Sequence, residues 1–333
     1  MTPKRQTLAD TGELEFIRRI RDMMPQDGGV IVRSVGDDCL ATEALHDGRA
    51  LYTIDTFVDS VHFTPEYSSY GDIGARCMAA SVSDIAAMSG IPSYTLVSLS
   101  MPESLAIDDA VELFKGLSST AGRYCCPLSG GETTSTPGPL TVTITVIGTV
   151  EQDRMALRSG AREGDSIYVS GSVGDAMGGL RALQDGRDGH DSLKRKFLTP
   201  EARVELSRSL SELYSVGAMI DLSDGIATDL RHICDESGTG AMIDAGLIPL
   251  SSELQSLMAE TDEDPVAFAL TAGEDFEILF TSDDDSLSGS QSICDLPITR
   301  IGTITGESGG IIVRRDNGTS KTLAKQGYEH FTS

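Results

Sequence analysis

The order of apolar and polar residues predicts alternating strands and helices in the first half of the chain. Four stretches rich in apolar and β-branched residues are predicted strands: GGVIVRSVGDDCLAT (28–42), RALYTIDTFVDSVHF (49–63), SYTLVSLSMP (93–102) and PLTVTITVIGTV (139–150). Apolar residues at helical spacing predict helices over 13–24, 72–90 and 107–124, the second of them interrupted near Ser83 and Asp84. Strands that alternate with long helices are typical of an α/β domain.

The pattern starts again after residue 150. Residues 158–180 contain a turn, a strand, a glycine-rich bend and a helix, and a polar loop over 184–191 precedes a helix over 201–214. Further strand patterns follow at 241–250, 266–280, 300–306 and 310–315. A chain of 333 residues can bury two cores, so we place a domain boundary at about residues 150–156.

Composition narrows the class of protein. A formal charge of −25 argues against nucleic acid as a partner, because phosphate backbones are bound by Lys and Arg patches. The acidity reflects either plain solubility or a salt-rich cytoplasm. No apolar run approaches the roughly 18 residues of a membrane helix, and the N-terminus has no apolar signal region, so we expect no membrane partner. The six cysteines include no C-x-x-C pair, which favours reduced thiols and a cytoplasmic location.

Acidic residues recur at the ends of the apolar runs. They fall in six stretches and comprise Asp37, Asp38, Asp55, Asp59, Asp84, Glu132, Asp221, Asp224, Glu274 and Asp275. Each alone could cap a helix or complete a turn, but ligands of α/β folds collect at strand ends, so we expect several to converge. Two carboxylates about 4 Å apart repel by about 4 kcal/mol at an effective dielectric constant near 20. No lysine lies beside these stretches, so a hard divalent cation with oxygen ligands fits best.

Familiar catalytic motifs are missing from the sequence. It has no G-x-x-x-x-G-K-[ST], which excludes a P-loop enzyme, and neither H-E-x-x-H nor G-x-S-x-G. Because Mg²⁺ typically combines one or two carboxylates with substrate phosphates, several carboxylates predict several Mg²⁺ ions around a nucleotide polyphosphate. An ordinary explanation stays open for IDLSDGIATDL (220–230), in which Asp221 ends a strand, Asp224 caps a helix and Asp229 faces solvent.

Nine segments in order carry a resemblance to a known family. They are GELEFI, GDDC, TIDTFVDSVHF, SVSDIAAMSG, SGGETT, RSGAREGD, IDLSDGIATDL, LTAGEDFEILF and GYEHF. Together they resemble the thiamine-monophosphate kinase family of the aminoimidazole ribonucleotide synthetase-like superfamily, from about residue 12 to the C-terminus. The first 38 residues lack the reactive Cys of selenophosphate synthetases, and the chain lacks the C-terminal Cys of the hydrogenase-maturation ATPases.

The resemblance implies a two-domain fold, α/β plus α+β. Residues 1–150 would form an N-terminal ATP- and Mg²⁺-binding and dimerisation domain whose sheet forms a barrel with that of its dimer mate. Residues 151–333 would form a C-terminal α+β domain, with ATP in the cleft between the two. A homodimer is therefore expected, since a lone sheet would leave exposed edges.

The resemblance also implies roles for individual residues. The implied metal ligands are Asp38, Thr53, Ile54, Asp55, Asp84, Glu132, Asp221 and Asp224, of which Asp55 and Asp224 would also be catalytic. Ile54 could serve only through its backbone carbonyl, and Glu132 stands where the family usually has Asp. The implied ATP contacts are Gly131, Glu132, Arg158 and Ser223, and the implied substrate contacts are His62, Glu274 and Tyr328. The ordinary alternatives are a strand-end role for His62, a surface turn for Arg158 and a packing role for Tyr328.

The implied activity is ATP-dependent phosphorylation of thiamine monophosphate to thiamine diphosphate. Transfer would be direct and in line, with ATP as co-substrate and several Mg²⁺ ions, for which Mn²⁺ is a possible substitute. Two alternatives remain at this point: another ATP-dependent synthetase or kinase of the same superfamily, or a non-catalytic member that binds nucleotide and metal.

Overall fold

The structure is a computed structural model of the chain and describes residues 31–33, 37–43, 48–287, 291–306, 310–315 and 317–323. The helix predicted over 13–24 lies outside these residues. The described residues form two β-sheets, one in each half of the chain, with helices packed on them.

Six strands build the first sheet: β1 (Ile31–Arg33), β2 (Leu40–Glu43), β3 (Arg49–Val58), β4 (Ile91–Met101), β5 (Leu128–Ser135) and β6 (Thr141–Val150). Their order is β1-β2-β3-β6-β4-β5, and β5 runs parallel to β4 while the other pairs are antiparallel. Three of the four predicted strands are confirmed as β3, β4 and β6. The prediction of one strand over 28–42 is wrong, because β1 and β2 are separate strands that pair antiparallel with each other. The pattern missed β5, since LSGGETTS is polar and seven of its eight residues are exposed.

Helices α1 (Tyr70–Ala87) and α2 (Ile107–Arg123) belong to the same half, and α1 packs against both the sheet and α2. The interruption predicted near Ser83 in the helix over 72–90 is wrong, because α1 is continuous through that point. Glycine allows the two helices to touch: a Cβ on Gly74 would lie 2.2 Å from the Leu113 carbonyl oxygen, and one on Gly116 would lie 2.0 Å from that of Gly71.

The other face of the first sheet is open in the single chain. Alternate residues of β3 and β4 point outward on this face. The large side chains among them are Tyr52, Ile54, Tyr94 and Leu96, which are exposed by 39% to 67%. The register places Ile54 and Leu96 on either side of Thr145, so these side chains form one continuous patch. The described strands thus form an open sheet with an uncovered apolar face.

The second sheet has eight strands: β7 (Ser166–Ser170), β8 (Met219–Asp221), β9 (Gly240–Asp244), β10 (Ile278–Ser282), β11 (Gln291–Ile293), β12 (Leu296–Thr305), β13 (Ile311–Arg314) and β14 (Ser320–Thr322). Their order is β14-β13-β9-β12-β7-β10-β8, with β11 paired to β12. The helices of this half are α3 (Asp175–Gln184), α4 (Asp191–Leu198), α5 (Val204–Leu213), α6 (Ile226–Ser237), α7 (Ser252–Thr261) and α8 (Pro265–Thr271).

Two predictions in this half are corrected. The strand predicted over 266–280 begins only at Ile278, because α8 occupies its first part. Asp264 caps that helix by accepting from the Val266 and Ala267 amides, and Pro265 occupies its first turn, which is a recognised start signal. The helix α4 directly after the 184–191 loop was not predicted.

The fold places α1 between the two halves. It packs on β6 of the first sheet and also contacts α5 and β8 of the second half. The C-terminal turns of α1 therefore face the end of β8, where the densest acidic stretch begins. Among the described helices, none combines the length and apolar composition needed to cross a membrane.

Candidate active site

Three carboxylates from distant parts of the chain meet at the contact between the two halves. Asp38 precedes β2, Asp84 lies in the last turn of α1, and Asp221 ends β8. One carboxylate oxygen of each lies within 4.8 Å of the others. The prediction that several of the recurring acids converge is thus realised for these three, although Asp84 lies in a helix and not at a strand end, and we call them the acidic group.

The acidic group is strained by its own charge. Burial raises the pKa of Asp84 well above its ordinary value, and the charges of Asp55, Asp221 and Asp38 raise it further. Burial followed by the charge of Asp38 raises the pKa of Asp221 to about 7. Carboxylates with such raised pKa values are held close together against their repulsion, which is the property of a cation site. Buried oxygen donors that repel one another fit a hard divalent cation such as Mg²⁺.

An arginine offsets part of this repulsion. Arg158 donates to Asp38 through two parallel bonds, Nε to Oδ2 at 3.0 Å and Nη2 to Oδ1 at 2.7 Å. Burial opposes the charge of this guanidinium, but Asp38 outweighs burial and raises the pKa of Arg158. This pair was not predicted, because Arg158 lies 120 residues from Asp38 and no lysine lies beside the acidic stretches. Arg158 is therefore no surface turn residue, and one guanidinium against three carboxylates still leaves a negative site.

Hydroxyl groups hold two of the three acids in place. Thr53 of β3 donates to Asp84, and Ser83 of α1 donates to Asp221 at 2.5 Å. Asp55 lies two residues beyond Thr53 on the same face of β3. Burial raises the pKa of Asp55, and the charge of Glu274 raises it further. Asp55 therefore lies within electrostatic reach of both the acidic group and Glu274.

The 220–230 stretch contains the end of β8, a short loop and the start of α6, and one prediction about it is wrong. Asp229 does not face solvent: it is 1% exposed and accepts hydrogen bonds from the amides of Asp224 and Gly225 at 3.1 and 2.9 Å. Burial and the charges of Asp224 and Asp221 raise the pKa of Asp229. The third aspartate of the stretch therefore supports the loop that carries Asp224 and Ser223.

A cavity of about 460 Å³ reaches Ser223, two residues beyond Asp221 of the acidic group. Its lining includes His62, Tyr67, Arg76, Phe197, Ser223 and Glu274, so it draws on both halves of the chain. His62 accepts from the Val58 amide through Nδ1 at 3.0 Å and meets the Phe57 ring edge-on. The structure thus brings His62 and Glu274 together, as the resemblance implied, and adds aromatic walls to them.

Comparison with known proteins identifies the family. Residues 36–150 match the family described as "AIR synthase related protein, N-terminal domain". Residues 162–314 match the family described as "AIR synthase related protein, C-terminal domain". A thiamine-monophosphate kinase of Bacillus subtilis (strain 168) is 35% identical over 306 residues, which cover 89% of this chain and 93% of that protein. The chain belongs to the thiamine-monophosphate kinase family. The resemblance carried by the nine sequence segments is confirmed.

Two further comparisons support membership of the thiamine-monophosphate kinase family. The thiamine-monophosphate kinase of Escherichia coli (strain K12) is 34% identical over 333 residues, covering 97% of this chain and 99% of that protein. The solved structure described as "AaThiL complexed with AMPPCP and TMP" has a TM-score of 0.86 at 28% identity and covers 98% of this chain. The two-domain fold expected from the resemblance is therefore confirmed, apart from the dimer barrel.

In this thiamine-monophosphate kinase family member, the segments IDLSDG and AGEDFE form one unit. The amides of Glu274 and Phe276 donate to the carbonyl oxygens of Ser223 and Leu222 at 2.8 and 2.9 Å. A Cβ on Gly273 would lie 2.2 Å from the Ser223 carbonyl oxygen, so only glycine permits this approach. Glu274 and Phe276 both have positive φ angles, 68° and 51°, and such strain is typical of functional loops.

Two further acids of the AGEDFE segment have structural roles that sequence reasoning missed. Asp275 is buried and accepts from the amides of Gly174 and Ala176 at the start of α3, although burial raises its pKa to about 7. Glu277 is fully buried and pairs with Arg203 and Lys196. The pattern of apolar residues around the AGEDFE segment did not indicate that Asp275 would pair with the start of α3 or Glu277 with Arg203 and Lys196.

Four implied site residues lie apart from the acidic group or outside the described residues. Glu132 and Gly131 lie on the exposed edge strand β5, and β6 and β4 separate it from β3, a distance of roughly 14 Å across the sheet. Gly131 has a packing reason of its own, since a Cβ there would lie 2.0 Å from the Val97 carbonyl oxygen. The Ile54 side chain is 67% exposed and points away from the acids. Tyr328 lies outside the described residues.

Proposed function

We propose that the protein phosphorylates thiamine monophosphate to thiamine diphosphate at the expense of ATP. The observation that carries the proposal is the acidic group together with a cavity lined by His62 and Glu274, in a chain of the thiamine-monophosphate kinase family. A site of this kind has two parts: oxygen ligands for the metal that accompanies phosphates, and an enclosed wall for the organic part of the acceptor.

We assign the metal-binding role to Asp38, Asp84 and Asp221, with Thr53, Ile54, Asp55, Glu132 and Asp224 as the remaining proposed ligands. Mg²⁺, or Mn²⁺ in its place, supplies charge neutralisation to the phosphates when bound. The raised pKa values of Asp84 and Asp221 support this assignment, because burial and then the neighbouring carboxylates raise them and a bound cation favours the ionised forms.

The chemical step needs little from the protein beyond position and charge. An oxygen of the acceptor phosphate attacks the γ-phosphorus of ATP, the bond from that phosphorus to the β–γ bridging oxygen breaks, and ADP leaves with the bonding electrons. The acceptor phosphate is already ionised at neutral pH, so no strong general base is required. Rate enhancement then comes from in-line positioning and from neutralising the phosphate charges.

We propose that Arg158 and the loop of Ser223 contact the ATP phosphates. The pair with Asp38 uses Nε and Nη2 of Arg158, and Nη1 carries two further hydrogens for phosphate oxygens. Asp55 lies on β3 and Asp224 lies on the loop between β8 and α6, and we assign them the catalytic role of aligning the reacting groups. Gly131 and Glu132 keep their proposed ATP contacts.

The cavity suits the organic part of thiamine monophosphate. Its walls are partly aromatic, which suits flat heterocycles, and Glu274 places a carboxylate opposite a substrate that carries a thiazolium cation. His62 shares this wall. We keep Tyr328 as a proposed third contact.

The assay that tests the proposal compares acceptors. We expect ADP release with thiamine monophosphate and background release with thiamine, because only the monophosphate offers an ionised oxygen to the γ-phosphorus. The measurement is coupled ADP release, with the product identified by chromatography. Equal or faster release with thiamine contradicts the acceptor assignment. Release only with an unrelated phosphate or carboxylate favours another activity of the superfamily.

We further propose that the protein is a homodimer joined through the open face of its first sheet. Tyr52, Ile54, Tyr94 and Leu96 expose a continuous apolar patch there, and monomeric proteins rarely leave such a patch uncovered. A second copy placed on this face would bury the patch and give the barrel that the family resemblance implies. Residues 1–150 and 151–333 as the two domains, and a cytoplasmic location, remain proposals from the sequence.

Replacing Leu96 with Glu should separate the dimer. A charge at the centre of an apolar interface is buried twice, once from each copy, and has no partner there. We expect light scattering to report twice the chain mass of 35.3 kDa for the wild type and the single-chain mass for the variant. Leu213→Glu is the control, since Leu213 is 65% exposed on α5, and its mass should match the wild type. A monomeric wild type at micromolar concentration would refute the dimer.

A further inference from the structure

Arg76 is a buried arginine on the wall of the cavity that no site assignment so far includes. It lies on α1, and its side chain is only 7% exposed. Nη1 donates to the backbone carbonyl oxygen of His62 at 2.5 Å, and Nη2 donates to Oε2 of Glu274. One side chain thus holds two of the three residues assigned to the acceptor, His62 and Glu274.

The guanidinium is also held from a third side. Its central carbon lies 4.4 Å from the centre of the Phe197 ring of α4, in a cation–π arrangement. Arg76 therefore joins α1, the segment after β3, the AGEDFE loop and α4. These four pieces come from both halves of the chain and together form one wall of the cavity.

The third nitrogen of the Arg76 guanidinium group, Nε, makes no such contact with a described residue. Nε of Arg76 is buried and has no hydrogen-bond partner among the described residues. A buried donor without a partner lowers stability, and such groups are few in native proteins. Among the described residues, Arg76 thus makes its side-chain hydrogen bonds through Nη1 to His62 and Nη2 to Glu274.

We propose that Arg76 is a positioning residue of the acceptor cavity: it fixes the Glu274 carboxylate and the His62 backbone, and through them sets the affinity for the thiamine part of the substrate. This inference rests on the proposed function. Arg76 acts on affinity for the acceptor, because its contacts are with the cavity wall and not with Asp38, Asp84 or Asp221.

The test separates acceptor affinity from ATP affinity. In Arg76→Met we expect the KM for thiamine monophosphate to rise about 30-fold or more, since one partner of a buried charged pair is lost, while the KM for ATP stays within twofold. Arg76→Lys keeps the charge but cannot make both contacts with one ammonium, so its KM for thiamine monophosphate should rise about 5- to 10-fold. If Arg76→Met fails to fold, Arg76→Lys alone carries the test.

Arg203→Lys is the matched control. Arg203 is as buried as Arg76, at 8% side-chain exposure, and pairs with Glu277 of the same AGEDFE segment, but it does not line the cavity. We expect this variant to lower the melting temperature and leave the KM for thiamine monophosphate within twofold. In a Glu274→Gln background, Arg76→Met should raise that KM by a smaller factor than it does in the wild type, because the charged contact with Glu274 is already lost and only the contact with the His62 backbone remains to be removed.

The outcomes are distinguishable. A wild type that does not turn over thiamine monophosphate overturns the proposed function and this inference with it. An active wild type, with a KM for thiamine monophosphate that is unchanged in both Arg76 variants, overturns the positioning role alone. Equal rises in both KM values, or the same rise in Arg203→Lys, would show a general structural effect and would also overturn it.

Discussion

Asp221→Asn should lower turnover by about 100- to 1000-fold and leave the ligand-free protein as stable as the wild type or more stable. Asp221 is 2% exposed, and burial followed by the charge of Asp38 raises its pKa to about 7. Its charge therefore weakens the folded state when no cation is present. Asn keeps an oxygen and removes that charge, so folding gains while cation binding is lost.

The charge of Asp221 makes the stability of the ligand-free protein depend on pH. The folded-state pKa of Asp221, about 7, lies above its ordinary value of 3.8. The unfolded chain therefore releases this proton at lower pH than the folded protein does, and the ligand-free protein loses stability as the pH rises from about 4 to about 7. In Asp221→Asn this contribution is absent, so the melting temperature should fall less steeply over the same range.

The measurements are the melting temperature with and without MgCl₂ and kcat at saturating ATP. Mg²⁺ should raise the melting temperature of the wild type, because a ligand that binds only the folded state stabilises it, and should raise that of Asp221→Asn much less. Asp235→Asn is the control, because this substitution removes the same charge from an exposed position on α6. Turnover of Asp221→Asn at the wild-type level would return Asp221 to an ordinary strand-end role.

Glu277→Gln should lower the free energy of unfolding by about 3–5 kcal/mol, because it leaves two buried or half-buried cations without their anion. Glu277 accepts from Arg203 twice, at 2.6 and 2.9 Å, from Lys196 at 2.7 Å and from Ser170 at 2.5 Å. Burial alone would raise its pKa, but Lys196 and Arg203 outweigh burial and lower the pKa to about 2. The carboxylate is thus strongly favoured in the folded state.

Measuring stability as the pH is lowered distinguishes the charged role of Glu277 from a role in packing alone. The folded-state pKa of about 2 lies below the ordinary 4.5, so the stability that Glu277 provides is present above about pH 4.5 and is lost as the pH falls toward 2. Urea unfolding between pH 7 and 3 should show a steeper loss in the wild type than in Glu277→Gln. Glu263→Gln, at an exposed pair with Arg181, should match the wild type at every pH. Equal stability of Glu277→Gln and wild type at pH 7 would contradict the buried network.

The sequence alone determined the family and most of the elements. Apolar periodicity predicted β3, β4, β6 and the helices α1 and α2, since these elements bury one face and expose the other. The recurring acids predicted a convergence of carboxylates, and one oxygen each of Asp38, Asp84 and Asp221 lies within 4.8 Å of the others. Periodicity failed at β5 and at α8. The former is a polar edge strand without a buried face, and the latter is a short helix whose capping signal was overlooked.

Only the tertiary structure decided how the charges are paired. Arg158 reaches Asp38 across 120 residues, and Arg76 reaches Glu274 across 198, so no local pattern could reveal either pair. The Asp229 pairing is short-range, with the amides of Asp224 and Gly225 five and four residues away, but apolar spacing did not show that this carboxylate is buried. Sequence patterns record which residues are apolar and which are charged at a given spacing. The partner of a buried charge depends on where distant segments meet, and that is set by the packing of α1 between the two halves.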